Sequence, residues 1–322
     1  MSQTLATRPL GAFSNFVVER MPAILEDRAQ AAARLAIAVE EFLPSAEVLA
    51  VILADPYRCD LAHLDLTMAE AAIVHSGGVV PTELTRVVDF CAELSGQLPM
   101  LTYEGLVMIN PPDDPRTFTR GAVGEAERHF YFVHMVIESC LAVIAQACSD
   151  GRDASAEMAE VLRLTEELRS GMNPAHFAAF RLFLMSHPGR NLKGPSGAFT
   201  GRIPLLELRL WSAWLADEHR ASIARIMSYM PRADRPLVRE ALESPCAVTR
   251  AKRPHDFAPF VPFGEFLLQF RRLHLASVTR QVPEAIRDKV PGTGGAPNPG
   301  TFLRELIRIT QDLLARLKKA AS

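Results

Sequence analysis

His274 lies in the stretch PFGEFLLQFRRLHLASVTRQV, and on a helix it shares a face with Leu267, Phe270 and Val278. An imidazole in an apolar stripe can ligate iron from a dry pocket. The same pattern fits a hydrogen-bonded core histidine. Arg271 and Arg272, just before it, can pair with carboxylates of a bound group or simply face solvent. His134 precedes Glu138 by one turn in HFYFVHMVIESC, the most apolar stretch of the chain. A histidine and a carboxylate there are costly unless paired or functional. A metal pair and a buried His–Glu hydrogen bond both satisfy that requirement. Arg181 sits among phenylalanines and leucines in HFAAFRLFLM, so its guanidinium needs a partner. That partner is either a substrate carboxylate or an internal acid such as Glu207. The GTGG run at 292–295 can offer backbone N–H groups and the Thr293 hydroxyl to an anion, or be a plain flexible loop. There is no Walker loop, dinucleotide fingerprint, HExxH, GxSxG or zinc-spaced Cys/His set.

These side chains must be positioned by helices. Apolar residues recur at helical spacing over 22–43, and shorter helices are expected at 45–54, 66–76 and 82–95, broken by Pro56, Gly77-Gly78 and Gly96. The 129–148 segment is apolar nearly all round and reads as a central helix. An amphipathic helix follows at 154–170. Asn173-Pro174 then reads as an N-cap with proline at the first helical position, opening a helix to about Met185. Further helices are expected at 203–218, 219–229, 234–243, 261–281 and 300–319. No alternating run reads as a strand, so the fold class is all-α. Loops are expected at 109–117, 186–201 and 289–300; the last two are glycine-rich, a place where function often resides. The chain is expected to divide into a small N-terminal helical domain, 1–105, and a larger helical domain, 106–322.

Composition removes several classes. Lys plus Arg total 35 against 37 Asp plus Glu, a net charge of −2, so nothing points to nucleic acid as a partner. Five scattered cysteines, none in a CxxC pair, read as buried thiols in a reducing compartment, and a cytoplasmic location is expected. The N-terminal residues lack a long apolar run, so no signal peptide is expected. His134 and Glu138 argue for a buried core helix over a membrane span.

The order of these features along the chain resembles the haem superfamily of indoleamine 2,3-dioxygenase and tryptophan 2,3-dioxygenase, which also holds the branch of monodechloroaminopyrrolnitrin synthase. LHLASVTRQV at 273–282 followed by PGTGG at 291–295 looks like the family's proximal-histidine helix and the loop after it. YMPRADRPLVREALES at 229–244 resembles the segment before that helix. FRLFL at 180–184 and GPSGAFT at 194–200 resemble the helix and small-residue loop over the distal face, and LPMLTYEGLV at 98–107 resembles the strip joining the two domains. The likeness is discontinuous and spans most of the chain from about residue 80.

The resemblance implies haem b as cofactor, with His274 as the iron ligand and Arg271 paired to Glu207 behind it. Arg181 would then take a substrate carboxylate. Thr293 would contact the substrate or a propionate. Ser196 and Gly197 would line the distal pocket, with Phe130, Tyr103 and Phe177 as aromatic walls. His134 falls where indoleamine dioxygenases tend to have serine and tryptophan dioxygenases a histidine. The GPSGAFT loop departs from the serine- and alanine-rich loop of the dioxygenases, and the loops before Gly194 and between His274 and Gly292 are short for the family. Such loops gate substrate entry in the relatives. The implied function is a haem-dependent oxygenase acting with dioxygen on tryptophan or a related indole and cleaving the C2–C3 bond. A rearranging or mono-oxygenating enzyme of secondary metabolism and a non-catalytic haem protein are the alternatives. A monomer or dimer, with no membrane partner, is expected.

Overall fold

A computed structural model describes residues 7–282 and 291–322. Among the described residues the protein is 74% helical and has no strand, as an all-α chain requires. The main helices are α1 (Ala31–Phe42), α2 (Ala46–Leu53), α3 (Pro56–His75), α4 (Thr82–Ser95), α5 (Gly121–Asp150) and α6 (Ser155–Gly171), then α7 (Pro174–Arg181), α8 (Arg202–Trp211), α9 (Asp217–Ile226), α10 (Asp234–Glu243), α11 (Val261–Gln281) and α12 (Pro299–Ala321). Local rules set some of the boundaries. Gly96 takes a left-handed φ of 67° to end α4, a conformation that side chains with a Cβ resist. Asn298 caps α12 by accepting from the Thr301 N–H, with Pro299 at the first turn.

Several boundaries differ from the sequence reading: the expected 129–148 helix begins at Gly121, the 203–218 helix ends at Trp211 in a 3₁₀ turn, and the next helix runs Asp217–Ile226. Pro56 opens α3 instead of separating two helices. Asp55 caps it by accepting from the Arg58 N–H, and proline at the first position loses no helical hydrogen bond. The 22–43 segment is interrupted: Met21–Glu26 stops at Asp27, whose ψ of 76° is not helical, and α1 starts at Ala31. The helix from Pro174 ends at Arg181 and tightens into a 3₁₀ turn, Leu182–Leu184. Residues 289 and 290 of the third expected loop lie outside the described residues.

Contacts divide the chain into two units. The first comprises Met1–Phe132, Ala175–Gly197 and Thr293–Gly295; the second comprises Val133–Pro174, Ala198–Gly292 and Ala296–Ser322.

In the first unit α3 is the centre, packed by α1, α2 and α4. Its buried residues run from Cys59 almost unbroken to Ile73 and include His63, Asp65, Thr67 and Glu70. Such polar groups are tolerated in a core only when paired. His63 Nε2 bonds the Leu98 carbonyl at 2.9 Å, and the Thr67 hydroxyl donates to the His63 carbonyl at 2.7 Å. Asp65 accepts from Arg116 at 2.7 Å and from Ser14 at 2.6 Å. The helix enclosed on all sides is thus α3, while α5 carries Phe132 and Val143 at 50% and 45% exposure. Helix α5 is long and apolar enough to cross a membrane, a test that a core helix also passes. It buries Glu127 and Glu138.

In the second unit α11 packs against α12 and α6. The approach is close at Gly264, where an added Cβ would lie 3.0 Å from Leu314 and 3.1 Å from Trp211. The N-terminal half of α11 buries Phe263, Phe266, Leu267 and Arg271, whereas residues 273–278 are all only half-buried. None of the five cysteines is in a disulfide.

Candidate functional site

His274 occupies the fourth turn of α11, three residues after Arg271. Burial is the main cause that drives its pKa down to about 4, and the charge of nearby His134 adds to the fall. The imidazole is therefore neutral at pH 7. The Phe270 ring lies 6.1 Å away, and neither ring nitrogen has a hydrogen-bond partner among the described residues. The residue is nonetheless only half-buried. A neutral imidazole without a competing hydrogen bond has the donor chemistry that a haem iron takes from a protein. Among the described residues no group of three or more His, Cys, Asp or Glu could hold a bare metal ion. A haem needs only one such ligand from the protein.

Behind His274 the structure pairs Arg271 with Glu207, at 3.0 Å from Nη2 to Oε2. Arg271 also donates to the Thr310 hydroxyl and, at 3.4 Å, to the Leu306 carbonyl. His219 Nε2 lies 3.1 Å from the same Glu207 oxygen. Burial by itself would raise the Glu207 pKa, but Arg271 and His219 together hold it at about 2. The carboxylate is ionised and shared between two donors. Glu138, on the α5 face that carries His134, is buried with Arg202 Nε 3.7 Å from its Oε2. Arg202 also donates to the Glu138 carbonyl and approaches Asp234 at 3.5 Å.

The remaining expected residues, Tyr103, Phe130, Phe177, Arg181, Ser196, Gly197 and Thr293, belong to the first unit, whereas His134, Glu207, Arg271 and His274 belong to the second. Phe130 and Phe177 meet at 5.7 Å between ring centres, and each lies 5.4 Å from Phe180. Arg181 follows Phe180 in the chain, and burial lowers its pKa. Tyr103 is buried just before a π-helical turn, Glu104–Ile109. Ser196 and Thr293 are half-buried and Gly197 is exposed.

The glycines of the GPSG loop differ in what they demand. An added Cβ at Gly194 would sit 2.2 Å from the Leu184 carbonyl oxygen, so only glycine permits this backbone approach. At Gly197 it would meet nothing within 4 Å. The GTGG turn is closed by the Gly292 N–H donating to the Ala296 carbonyl at 2.8 Å.

Two groups were not singled out by the sequence. His219 is one; its spacing from Glu207 forms no recognisable motif. The other is a charged cluster in the first unit. Arg190 donates to Glu70 Oε1 at 3.1 and 2.8 Å and to Asp89 at 2.5 Å. His187 Nε2 lies 3.7 Å from Glu70 Oε2, and burial, with the charges of Arg190 and His75, pushes the imidazole down to about 4. The His187 N–H donates to the Leu192 carbonyl at 3.0 Å, so the cluster ties a tight 187–192 turn to α3. Only the glycine-rich character of 186–201 hinted at it. No family model matches this chain, and no curated protein matches it.

Proposed function

We propose that this protein is a haem-dependent oxygenase acting on tryptophan or a related indole, with His274 as the residue that would hold the iron. The observation that carries the reading is the state of His274: deep, neutral, without a hydrogen-bond partner among the described residues, and one turn from an arginine fixed by a buried carboxylate. A hydrogen-bonded core histidine, the alternative, would show a partner. The family resemblance supplies the rest of the assignment.

Bound haem b would supply the binding and activation of dioxygen. The chain's own residues have narrower tasks. His274 would hold the iron through a neutral ring nitrogen. Arg271, held by Glu207, places a fixed positive charge one turn away. Arg181 is assigned to a substrate carboxylate by bidentate hydrogen bonding. Phe130, Phe177 and Tyr103 are assigned to the aromatic surface for the indole, with Ser196, Gly197 and Thr293 on its polar side. Cleavage of the indole C2–C3 bond places both oxygen atoms in the product, so no external reductant is consumed.

The test is to load the reduced protein with haem and expose it to labelled dioxygen and a panel of indoles. A Soret band that His274→Ala abolishes, with a product heavier by two labelled oxygens, is the expected result. Absence of a Soret band overturns the reading. A second reading, a haem protein without turnover, draws on the charge of His134 acting on His274, which brings two histidines into one neighbourhood; it predicts haem binding with no oxygen consumption with any indole.

A further inference from the structure

Glu207 on α8 is buried, and one of its oxygens, Oε2, takes both donors, Arg271 Nη2 at 3.0 Å and His219 Nε2 at 3.1 Å. The other oxygen, Oε1, is buried without a hydrogen-bond partner among the described residues. The hold on the carboxylate therefore runs through a single atom shared by α9 and α11. Facing a carboxylate, His219 must donate, so Nε2 carries a proton. Arg271 is anchored a second time by Thr310 and Leu306 of α12. Glu207 and Arg271 are enclosed; the His219 side chain keeps 13% of its surface exposed. It lines a cleft of about 460 Å³ together with Trp214, Glu218, Arg308, Asp312 and Leu313.

We propose that His219 is a positioning residue for the turn of α11 that carries His274. The proposal rests on the reading of His274 as an iron ligand and on geometry. Arg271 and His274 stand three residues apart, on neighbouring positions of one helix face. Arg271 is oriented by Glu207, and Glu207 by His219. With the His219 donor removed, a buried carboxylate keeps one hydrogen bond out of two and can rotate about its own side chain. The arginine then loses its fixed partner, and the helix turn loses part of its restraint. Groups behind a metal ligand orient it and tune the metal in this way. The cleft makes His219 the one member of the triad that a small molecule can reach.

The experiment compares His219→Leu, which keeps volume and removes the donor, with His219→Gln, whose side-chain amide can restore it. Amide hydrogen exchange over residues 271–278 is measured on the haem-free full chain, and the absorption spectrum and midpoint potential on the haem-loaded one. The expected result is exchange faster by about tenfold in the Leu variant, the effect of one charge-assisted hydrogen bond, with a shifted potential, and near-wild-type behaviour in the Gln variant. Equal effects of Leu and Gln overturn the proposal. So does a Leu variant that changes neither the exchange of 271–278 nor the potential. Should His219→Leu not fold, His219→Ala with and without added imidazole decides. Recovery of protection on adding imidazole supports the proposal, and no recovery overturns it. A wild-type protein that binds no haem removes the ligand reading, and the exchange measurement still decides whether His219 positions α11.

Discussion

Glu207→Gln removes one negative charge from the centre of the Arg271–Glu207–His219 network while keeping its shape. The carboxylate is held at about 2 instead of 4.5, and it is fully enclosed. A displacement of that size corresponds to about 3 kcal/mol of stability. The figure agrees with the roughly 3–5 kcal/mol found when one partner of a buried ion pair is removed. The sign follows from linkage: a depressed carboxylate pKa gives stability that is complete above about pH 4.5 and is lost as pH falls toward 2. The variant should therefore lower the urea midpoint by about 1 M at pH 7, for a slope near 3 kcal/mol per M. The gap to wild type should close as the pH is brought down through 4.5. Adding Arg271→Met should recover part of the loss, because the uncompensated buried guanidinium is gone. A change below about 1 kcal/mol at pH 7, or an acid-unfolding profile identical to wild type, would refute the reasoning.

Three other outcomes follow from the same geometry. His274 is charged in the unfolded chain below about 6.5 but stays neutral in the fold down to about 4, so wild type should lose about 3 kcal/mol as pH falls across that window. His274→Ala should flatten that slope in acid unfolding, and an unchanged slope would show that the imidazole is not enclosed. Gly194→Ala forces a Cβ to 2.2 Å from the Leu184 carbonyl oxygen and should destabilise by at least about 2 kcal/mol, whereas Gly197→Ala, with open space around it, should change the melting temperature little; differential scanning calorimetry of the pair checks this. Arg181→Met should raise KM selectively for indoles that bear a carboxylate and leave the haem spectrum unaltered, and an equal rise for carboxylate-free indoles would remove the clamp assignment.

Local chemistry made most of the helices legible. Thr82–Ser95, Asp234–Glu243 and Val261–Gln281 follow from apolar spacing and from the glycine and proline residues around them, all of which act within one or two turns. The same local rules failed at Pro56, because proline either ends a helix or begins one, and Asp55 before it decided for the beginning. They also missed the enclosure of α3: its His63, Asp65 and Glu70 look like a solvated face until partners arrive from elsewhere in the chain. The partners are Leu98, 35 residues on, Arg116, 51 residues on, and Arg190, 120 residues on. For His274 the sequence determined a histidine on an apolar helix face and left its state open. Tertiary structure decided that state, because desolvation keeps the imidazole neutral and its ring nitrogens make no hydrogen bond among the described residues. Glu207 and Arg271, 64 residues apart, and His219 between them in sequence, meet only when α8, α9 and α11 pack. Helix formation depends on neighbours three and four residues away, whereas a buried charge is paired by whichever distant side chain the packing brings to it.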